Sequence, residues 1–209
     1  CIRDRVSAIF VDIRDSTSLF TEEDKEKVSK IIRSFTSEII EILRDSDGLR
    51  EIGIRGDCVY AIYTTPLQSD TYECVDKATY INTYLKMLNN LLALKKYPTI
   101  AVGIGVGTAE ELIVKAGRKD VGINNPVWIG DAVTGASNLS AIANKDGHPP
   151  IAFSDLTYAN TIEKIKEINS EKDVDRWFTK YSDDKLGTYY CANIVKELFN
   201  DWIDGGMKE

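Results

Sequence analysis

This chain is organised around the stretch Ala8-Ile9-Phe10-Val11-Asp12-Ile13-Arg14-Asp15-Ser16-Thr17. Apolar residues lead into Asp12, and a short polar segment follows before a long helical pattern. This order predicts a strand, a tight turn and the start of a helix. Asp12 is therefore expected at the carboxyl end of the strand.

A second stretch, Ile52-Gly53-Ile54-Arg55-Gly56-Asp57-Cys58-Val59-Tyr60-Ala61-Ile62-Tyr63, has two short strand patterns around a central turn. It predicts a hairpin with Asp57 at its tip, because Gly56 can adopt the backbone angles that the turn needs. Taken singly, an aspartate after a strand is often a helix cap, and Gly-Asp is ordinary turn chemistry. As a pair on neighbouring strands, Asp12 and Asp57 suit the binding of divalent metal ions against a polyphosphate.

The composition indicates a single soluble domain over residues 1–209, with 43% hydrophobic and 28% charged residues. No apolar run has the length of a membrane span and no signal segment opens the sequence, so we expect no membrane contact. The first residue is Cys1 rather than methionine, which predicts that the sequence is part of a longer chain. A net charge of −7 argues against nucleic acid as a partner and favours a small ligand that binds with metal. The four cysteines lack zinc-binding spacing, and we expect them to be reduced in a cytoplasmic protein.

Helical and strand patterns alternate along the chain. After the first strand, the patterns predict a helix over 21–43 that begins at Thr21, the hairpin around Asp57 and a helix over 72–94. Strands at 99–107 and 111–116 follow, and then a helix of small residues that ends near 143. The last predicted elements are a strand at 151–153, a short helix capped by Ser154 that ends at Tyr158, and a closing hairpin formed by 174–178 and 186–194. This order predicts an α/β sandwich of ferredoxin-like type, in which helices pack on a mainly antiparallel sheet.

Glycines occupy alternate positions of the strand predicted at 99–107. They do not form a phosphate-binding loop, because neither phosphate-loop spacing is met and the glycines lie within the strand pattern. Close approach of a helix, or of the paired aspartates, explains them better. The helix of small residues after Gly130-Asp131 would likewise let a helix or a ligand come close. The sole histidine, His148, lies in a loop and is assigned no role.

Three segments resemble the class III nucleotidyl cyclases, and the resemblance extends from about Val6 to Ile194. The first segment, from Phe10 to Thr17, resembles the first metal-aspartate motif of that family, and Gly56-Asp57 resembles the second. The third, Ile129-Gly130-Asp131-Ala132-Val133, resembles the segment that opens the family's transition-state helix. Together with the Asn-Pro-Val-Trp that precedes it, this pattern is most similar to the pyrimidine cyclases of the bacterial antiphage Pycsar systems.

The resemblance implies a set of site residues. Asp12 and Asp57 would bind two Mg²⁺ or Mn²⁺ ions, with the carbonyl of Ile13 as a further ligand. One ion would lower the pKa of the ribose 3′-hydroxyl and the other would neutralise the departing pyrophosphate. Sites of this kind form between two subunits, so a homodimer is implied. The β- and γ-phosphates would lie against the backbone N–H groups of a turn formed by Ile13, Arg14, Asp15, Ser16 and Thr17.

Four positions depart from the purine cyclases of this family. Gly53 stands where they carry a base-selecting lysine, and Val127 stands where adenylate cyclases carry aspartate or threonine. Glycine and valine cannot form the hydrogen bonds that distinguish adenine from guanine. The asparagine and arginine of the transition-state helix align with Thr134 and Asn138, and Asn138 cannot supply positive charge to the α-phosphate. The candidates for that charge are Arg50, Arg55 and Lys185, of which Lys185 is assigned to phosphate.

These departures favour a pyrimidine substrate. We expect conversion of UTP to 3′,5′-cyclic UMP and pyrophosphate, as an antiphage signal that a separate effector reads. An arginine donor would suit the carbonyl-rich edge of uracil. Three alternatives stay open: a cytidylate cyclase that makes cyclic CMP, an adenylate or guanylate cyclase with atypical base recognition, and a nucleotide-binding module with weak or no catalysis. The residues expected near the base are Arg50, Gly53, Arg55, Val127 and Trp128.

Overall fold

The computed structural model describes residues 2–20, 24–118 and 123–208. The strands are β1 (Ile2–Ile13), β2 (Leu49–Arg55), β3 (Cys58–Thr64), β4 (Val102–Arg118), β5 (Ile123–Ile129), β6 (Ile151–Ser154), β7 (Phe178–Asp183) and β8 (Gly187–Ala192). The helices are α1 (Ser16–Phe20), α2 (Lys25–Arg44), α3 (Gln68–Leu94), α4 (Asp131–Ile142), α5 (Asp155–Ile168) and α6 (Glu197–Asp204).

All these strands belong to one sheet, in the order β2-β3-β1-β4-β6-β8-β7, with β5 paired to β4. β1 lies between β3 and β4 and is antiparallel to both. Among the pairings that the described residues make, only that of β4 with β6 is parallel. The order strand, helix, strand, strand, helix, strand confirms the predicted ferredoxin-like class. Within the same residues, no helix is long and apolar enough to cross a membrane.

One face of the sheet carries the main core, which α2, α3 and α5 cover. The apolar residues predicted at helical spacing in α2 pack there: Val28, Ile31, Phe35, Ile39 and Leu43 are buried, and Ile32 and Ile40 are partly buried. The predicted start of this helix at Thr21 lies outside the described residues. The helix itself begins at Lys25, after Asp24, whose carboxylate accepts a hydrogen bond of 3.1 Å from the N–H of Lys27.

The opposite face of the sheet carries α4, which is seated on the glycines of β4. A Cβ atom on Gly105 would lie only 2.1 Å from the carbonyl oxygen of Ala136. On Gly107 it would lie 2.5 Å from the carbonyl oxygen of Ala132. The expectation that a helix approaches these glycines is therefore confirmed, and the small residues of α4 let its backbone lie directly on the strand.

Several predicted boundaries are wrong. The strands expected at 99–107 and 111–116 form one long strand, β4, because β1 pairs with it as far as Ile113 and β5 pairs with it from Leu112 onward. The helix α5 continues well past Tyr158, since Thr161, Ile162 and Ile165 extend its buried stripe. A 3₁₀ turn occupies Val174–Trp177 before β7 begins. Neither β5 nor α6 was predicted.

Candidate active site

The structure brings Asp12 and Asp57 together at one end of the sheet. In the pairing of β1 with β3, Asp12 is opposite Cys58, the residue that follows Asp57 in the hairpin. Gly56 takes a φ of 64°, which the first position of this two-residue turn requires. The pKa of Asp12 is raised mainly by burial; the guanidinium of Arg14 lowers it and the negative charge of Asp57 raises it again. The two carboxylates therefore act on each other electrostatically.

The donors at this end of the sheet fit a hard divalent cation. Two adjacent carboxylates and the backbone carbonyl of Ile13 are all oxygen donors, which Mg²⁺ and Mn²⁺ prefer. In the described parts of the chain, no group of three or more His, Cys, Asp or Glu side chains converges on one point. A metal ion here would therefore complete its coordination with water and with phosphate oxygens of a substrate, as Mg²⁺ commonly does.

The turn after β1 has the predicted form, with α1 beginning at Ser16. Asp15 adopts a left-handed φ of 51° between the strand and this helix. The backbone N–H of Arg14, assigned to phosphate from the sequence, donates instead to the carbonyl of Ala101 at 2.7 Å. Thr17 is exposed in the first turn of α1, whereas Ile13 is buried with its side chain in the core.

The side chain of Arg14 connects this turn to α4. Its Nη2 atom forms an ion pair with Oδ2 of Asp12 at 3.0 Å and also donates to the carbonyl of Ser140. Its Nη1 atom donates to the carbonyl of Ala141 at 3.0 Å. A guanidinium from the turn after β1 thus lies between the carboxylate of Asp12 and the C-terminal carbonyls of α4, where the helix dipole favours a cation.

The other end of α4 is held by Glu111 of β4, which sequence reasoning did not single out. Glu111 is fully buried, and its Oε1 accepts a hydrogen bond of 2.6 Å from the N–H of Ala132. Its Oε2 atom has no partner among the described residues. Burial raises the pKa of Glu111, although the N–H groups of Ala132 and Val133 act to lower it. An anion at the N-terminus and a cation at the C-terminus both complement the helix dipole.

Thr134 and Asn138 lie one turn apart on the exposed side of α4. The part of α4 that Arg14 links to Asp12 is the last turn, at Ser140, whereas Thr134 and Asn138 are exposed. Lys185 lies in the turn between β7 and β8, where its N–H donates to Asp183 at 2.7 Å. Two strands, β4 and β6, separate that hairpin from β1.

The position of the missing base-selecting lysine is occupied by an aromatic ring. A Cβ atom on Gly53 would lie 2.7 Å from the hydroxyl oxygen of Tyr60, the residue paired with it on β3. The Tyr60 ring stacks on Phe10 with 5.2 Å between centroids. A side chain at position 53 would therefore displace this ring from its present place beside β2.

Glu51 connects this ring to β5. Its Oε1 accepts from the hydroxyl of Tyr60 and its Oε2 accepts from the indole Nε1 of Trp128, both at 2.8 Å. The hydrogen bond to Glu51, followed by burial, raises the pKa of Tyr60, whereas the charge of Arg55 lowers it. Glu51 and Tyr60 were missed from the sequence because an acid and an aromatic residue in a strand carry no motif.

The remaining predicted base residues divide into two groups. Arg55 lies near Tyr60, and Val127 is exposed beside Trp128. Arg50 lies elsewhere, since it lines a separate depression together with Asp70 and Glu73. The structure therefore gathers Gly53, Arg55 and Trp128 around Glu51 and Tyr60. It leaves Arg50 outside the group, and Val127, the strand neighbour of Trp128, is expected on the opposite face of β5.

Comparisons with known proteins show the family of this chain. Residues 2–175 match the family model described as the adenylate and guanylate cyclase catalytic domain. A uridylate cyclase of Treponema porcinum is 56% identical over 202 residues, which cover 97% of this chain and 68% of that protein. A uridylate cyclase of Gulbenkiania mobilis is 27% identical over 207 residues, which cover 95% of this chain and 80% of that protein.

Solved structures show the same fold at low identity. The adenylyl cyclase CyaB from P. aeruginosa superposes with a TM-score of 0.70 at 18% identity, over 91% of this chain and 94% of that one. A bacterial light-regulated adenylyl cyclase superposes with a TM-score of 0.72 at 19% identity, over 98% and 99% of the two chains.

Proposed function

Because this chain belongs to the family of adenylate and guanylate cyclase catalytic domains, we propose that it is a uridylate cyclase, which converts UTP to 3′,5′-cyclic UMP and pyrophosphate. The observation that carries the proposal is the Tyr60 ring beside Gly53, held by Glu51. This ring fills space that a larger base would need. The two relatives named uridylate cyclase support the same substrate.

The polar groups around the ring favour uracil over cytosine. Each carboxylate oxygen of Glu51 has a second lone pair and can accept a further hydrogen bond. Uracil carries an N–H at position 3 that would donate to such an acceptor, whereas cytosine has a bare nitrogen there and could offer only its 4-amino group, at a different place on the ring. Arg55 would then donate to a uracil carbonyl. The proposal of a uridylate cyclase therefore rests on one acceptor, Glu51, and one donor, Arg55, which both lie on β2.

Asp12 and Asp57 would hold two divalent metal ions, Mg²⁺ or Mn²⁺, with the carbonyl of Ile13. When bound, these ions would neutralise the triphosphate and lower the pKa of the ribose 3′-hydroxyl that attacks the α-phosphorus. The turn at Ser16 and Thr17 would position the β- and γ-phosphates, and Lys185 would add a positive charge. Thr134 would donate its hydroxyl to a ribose or phosphate oxygen.

The complete site would lie between two copies of the chain. Thr134 and Asn138 are exposed on α4, outside the face that is buried on the sheet, so a second protomer would supply them. In the hairpin formed by β4 and β5, the strand β5 exposes apolar side chains suited to such an interface. The exposed fractions are 42% for Val127 and 52% for Ile129. The cyclic UMP would act as an antiphage signal for a separate effector, which the resemblance to the Pycsar cyclases supports.

The decisive experiment incubates the purified chain with Mn²⁺ and each of the four ribonucleoside triphosphates separately, with products identified by mass spectrometry. We expect cyclic UMP from the wild type and from Asp47→Ala, which removes an exposed aspartate, and none from Asp57→Ala. Cyclic CMP, or a cyclic purine nucleotide, as the main product would transfer the proposal to that base. No product from any nucleotide would leave a nucleotide-binding module and refute the proposed catalysis.

A further inference from the structure

Arg14 has an environment that a solvated arginine would not need. Its side chain is only 13% exposed, and its Nη2 atom contacts both Oδ2 and the carbonyl oxygen of Asp12, at 3.0 and 3.3 Å. The same guanidinium donates to the carbonyls of Ser140 and Ala141 at the end of α4. Its Nε atom is buried without a partner in the described chain. One rigid, planar group therefore joins the metal carboxylate to the last turn of the helix.

The space for this group is created by Gly103. A Cβ atom there would lie 2.5 Å from Nη2 of Arg14 and 2.4 Å from the carbonyl oxygen of Ser140. Any side chain at this position would separate the guanidinium from the helix. The loop after α4 is fastened to the same strand, since the side chain of Asn144 donates to the carbonyl of Val102 at 3.1 Å.

We propose that Arg14 is a positioning residue that couples metal occupancy at Asp12 to the C-terminal turn of α4, the helix that carries Thr134 and Asn138. The proposal rests on the proposed function and extends it to how the site is assembled. Asp12 and the helix carbonyls compete for the same guanidinium, because both are negative. A divalent cation on Asp12 repels the guanidinium and takes over the carboxylate charge. Arg14 is then held more firmly by Ser140 and Ala141, which stabilises the last turn of α4.

Two simpler roles make different predictions. If Arg14 only caps α4, its loss loosens the helix equally with and without metal. If it only neutralises Asp12, its loss changes metal affinity and leaves α4 unaffected. Coupling alone predicts that the last turn of α4 responds to metal in the wild type and stops responding when Arg14 is replaced.

The test measures hydrogen–deuterium exchange of residues 138–143 in the full chain, with and without Mn²⁺ and 3′-deoxy-UTP, which lacks the attacking hydroxyl. Electron paramagnetic resonance of Mn²⁺ measures binding in the same samples. We expect Mn²⁺ with the analogue to slow exchange in the wild type by about twofold to fivefold, the range of a charge effect at a helix end. In Arg14→Gln, Mn²⁺ should still bind while this slowing disappears.

Three further variants keep the test decisive. Arg14→Lys retains the charge but cannot bridge the carboxylate and two carbonyls, so we expect it also to lose the response. Arg44→Gln removes an arginine whose contact is an exposed pair with Glu41, and it should respond as the wild type does. Glu111→Gln perturbs the opposite end of α4 and should keep the metal response.

The outcomes separate this proposal from the proposed function. Slowing that persists in Arg14→Gln, or loss of Mn²⁺ binding in that variant, would overturn the coupling whatever the product of the enzyme is. A metal response in a chain that makes no cyclic nucleotide would overturn the proposed catalysis and leave the coupling standing. In turnover assays, we expect Arg14→Gln to lower kcat more than it raises KM, because Thr134 and Asn138 act in the transition state.

Discussion

The close packing of α4 on β4 can be tested with the variant Gly105→Ala. The added methyl carbon would lie 2.1 Å from the carbonyl oxygen of Ala136 and 2.3 Å from the backbone nitrogen of Ser140, where ordinary contact begins near 3.4 Å. The helix would have to move outward by about 1.3 Å, because both neighbours are backbone atoms that cannot rotate aside. We expect the free energy of unfolding to fall by about 3 kcal/mol, the upper end of the usual overpacking cost.

Gly135→Ala is the matched control on the helix itself. A Cβ atom at Gly135 has nothing within 4 Å, so alanine there should stabilise the chain by about 0.5–1 kcal/mol. Urea denaturation of both variants, followed by circular dichroism, measures the difference. Cyclase turnover should fall by about 100-fold in Gly105→Ala, since displacement of catalytic groups by about 1 Å has such an effect. A Gly105→Ala chain that is as stable as the wild type would show that α4 is not seated on this glycine.

Glu51→Ala removes the acceptor of both Tyr60 and Trp128, so we expect kcat/KM for UTP to fall by about tenfold to 100-fold; an unchanged preference for UTP over CTP would contradict this role. Gly53→Lys alone should not create purine turnover, because Tyr60 fills the space, whereas Gly53→Lys with Tyr60→Ala should raise ATP or GTP turnover over the wild type. Burial raises the folded-state pKa of Glu111, so the native state retains its proton to higher pH and loses stability as pH rises from about 4. The unfolding free energy of the Glu111→Gln variant should therefore increase relative to that of the wild type as the pH rises above about 4. Unfolding free energies of the two chains that change in parallel with pH would argue against this effect of Glu111.

Local sequence patterns were sufficient for the fold class. Period-two patterns and turn residues located β1 and the hairpin at Gly56, and helical spacing located α2 and α3, because these signals act within a few residues of the chain. Element ends were less accurate. The length of β4 depends on its partners β1 and β5, and partners distant in sequence leave no mark on the strand itself.

The residues of the candidate site also fall into those that the sequence could predict and those that it could not. Asp12, Asp57 and Gly53 could be picked out because each has a fixed offset within a short motif. Glu51 and Tyr60 could not, since their meeting depends on the register between β2 and β3 and on the position of Trp128 beyond them.

Arg14 shows where the limit lies. The sequence placed it in the turn after β1 and assigned its backbone to phosphate, which is all that a local pattern can express. Its actual partners, Ser140 and Ala141, are more than a hundred residues away and are reached through the gap at Gly103. Motifs and periodicity therefore specified the elements and the paired aspartates, since those depend on neighbours in the chain. The packing of α4 on β4 specified which charged groups meet, because contact between distant residues depends on the backbone path and on the space that glycines leave.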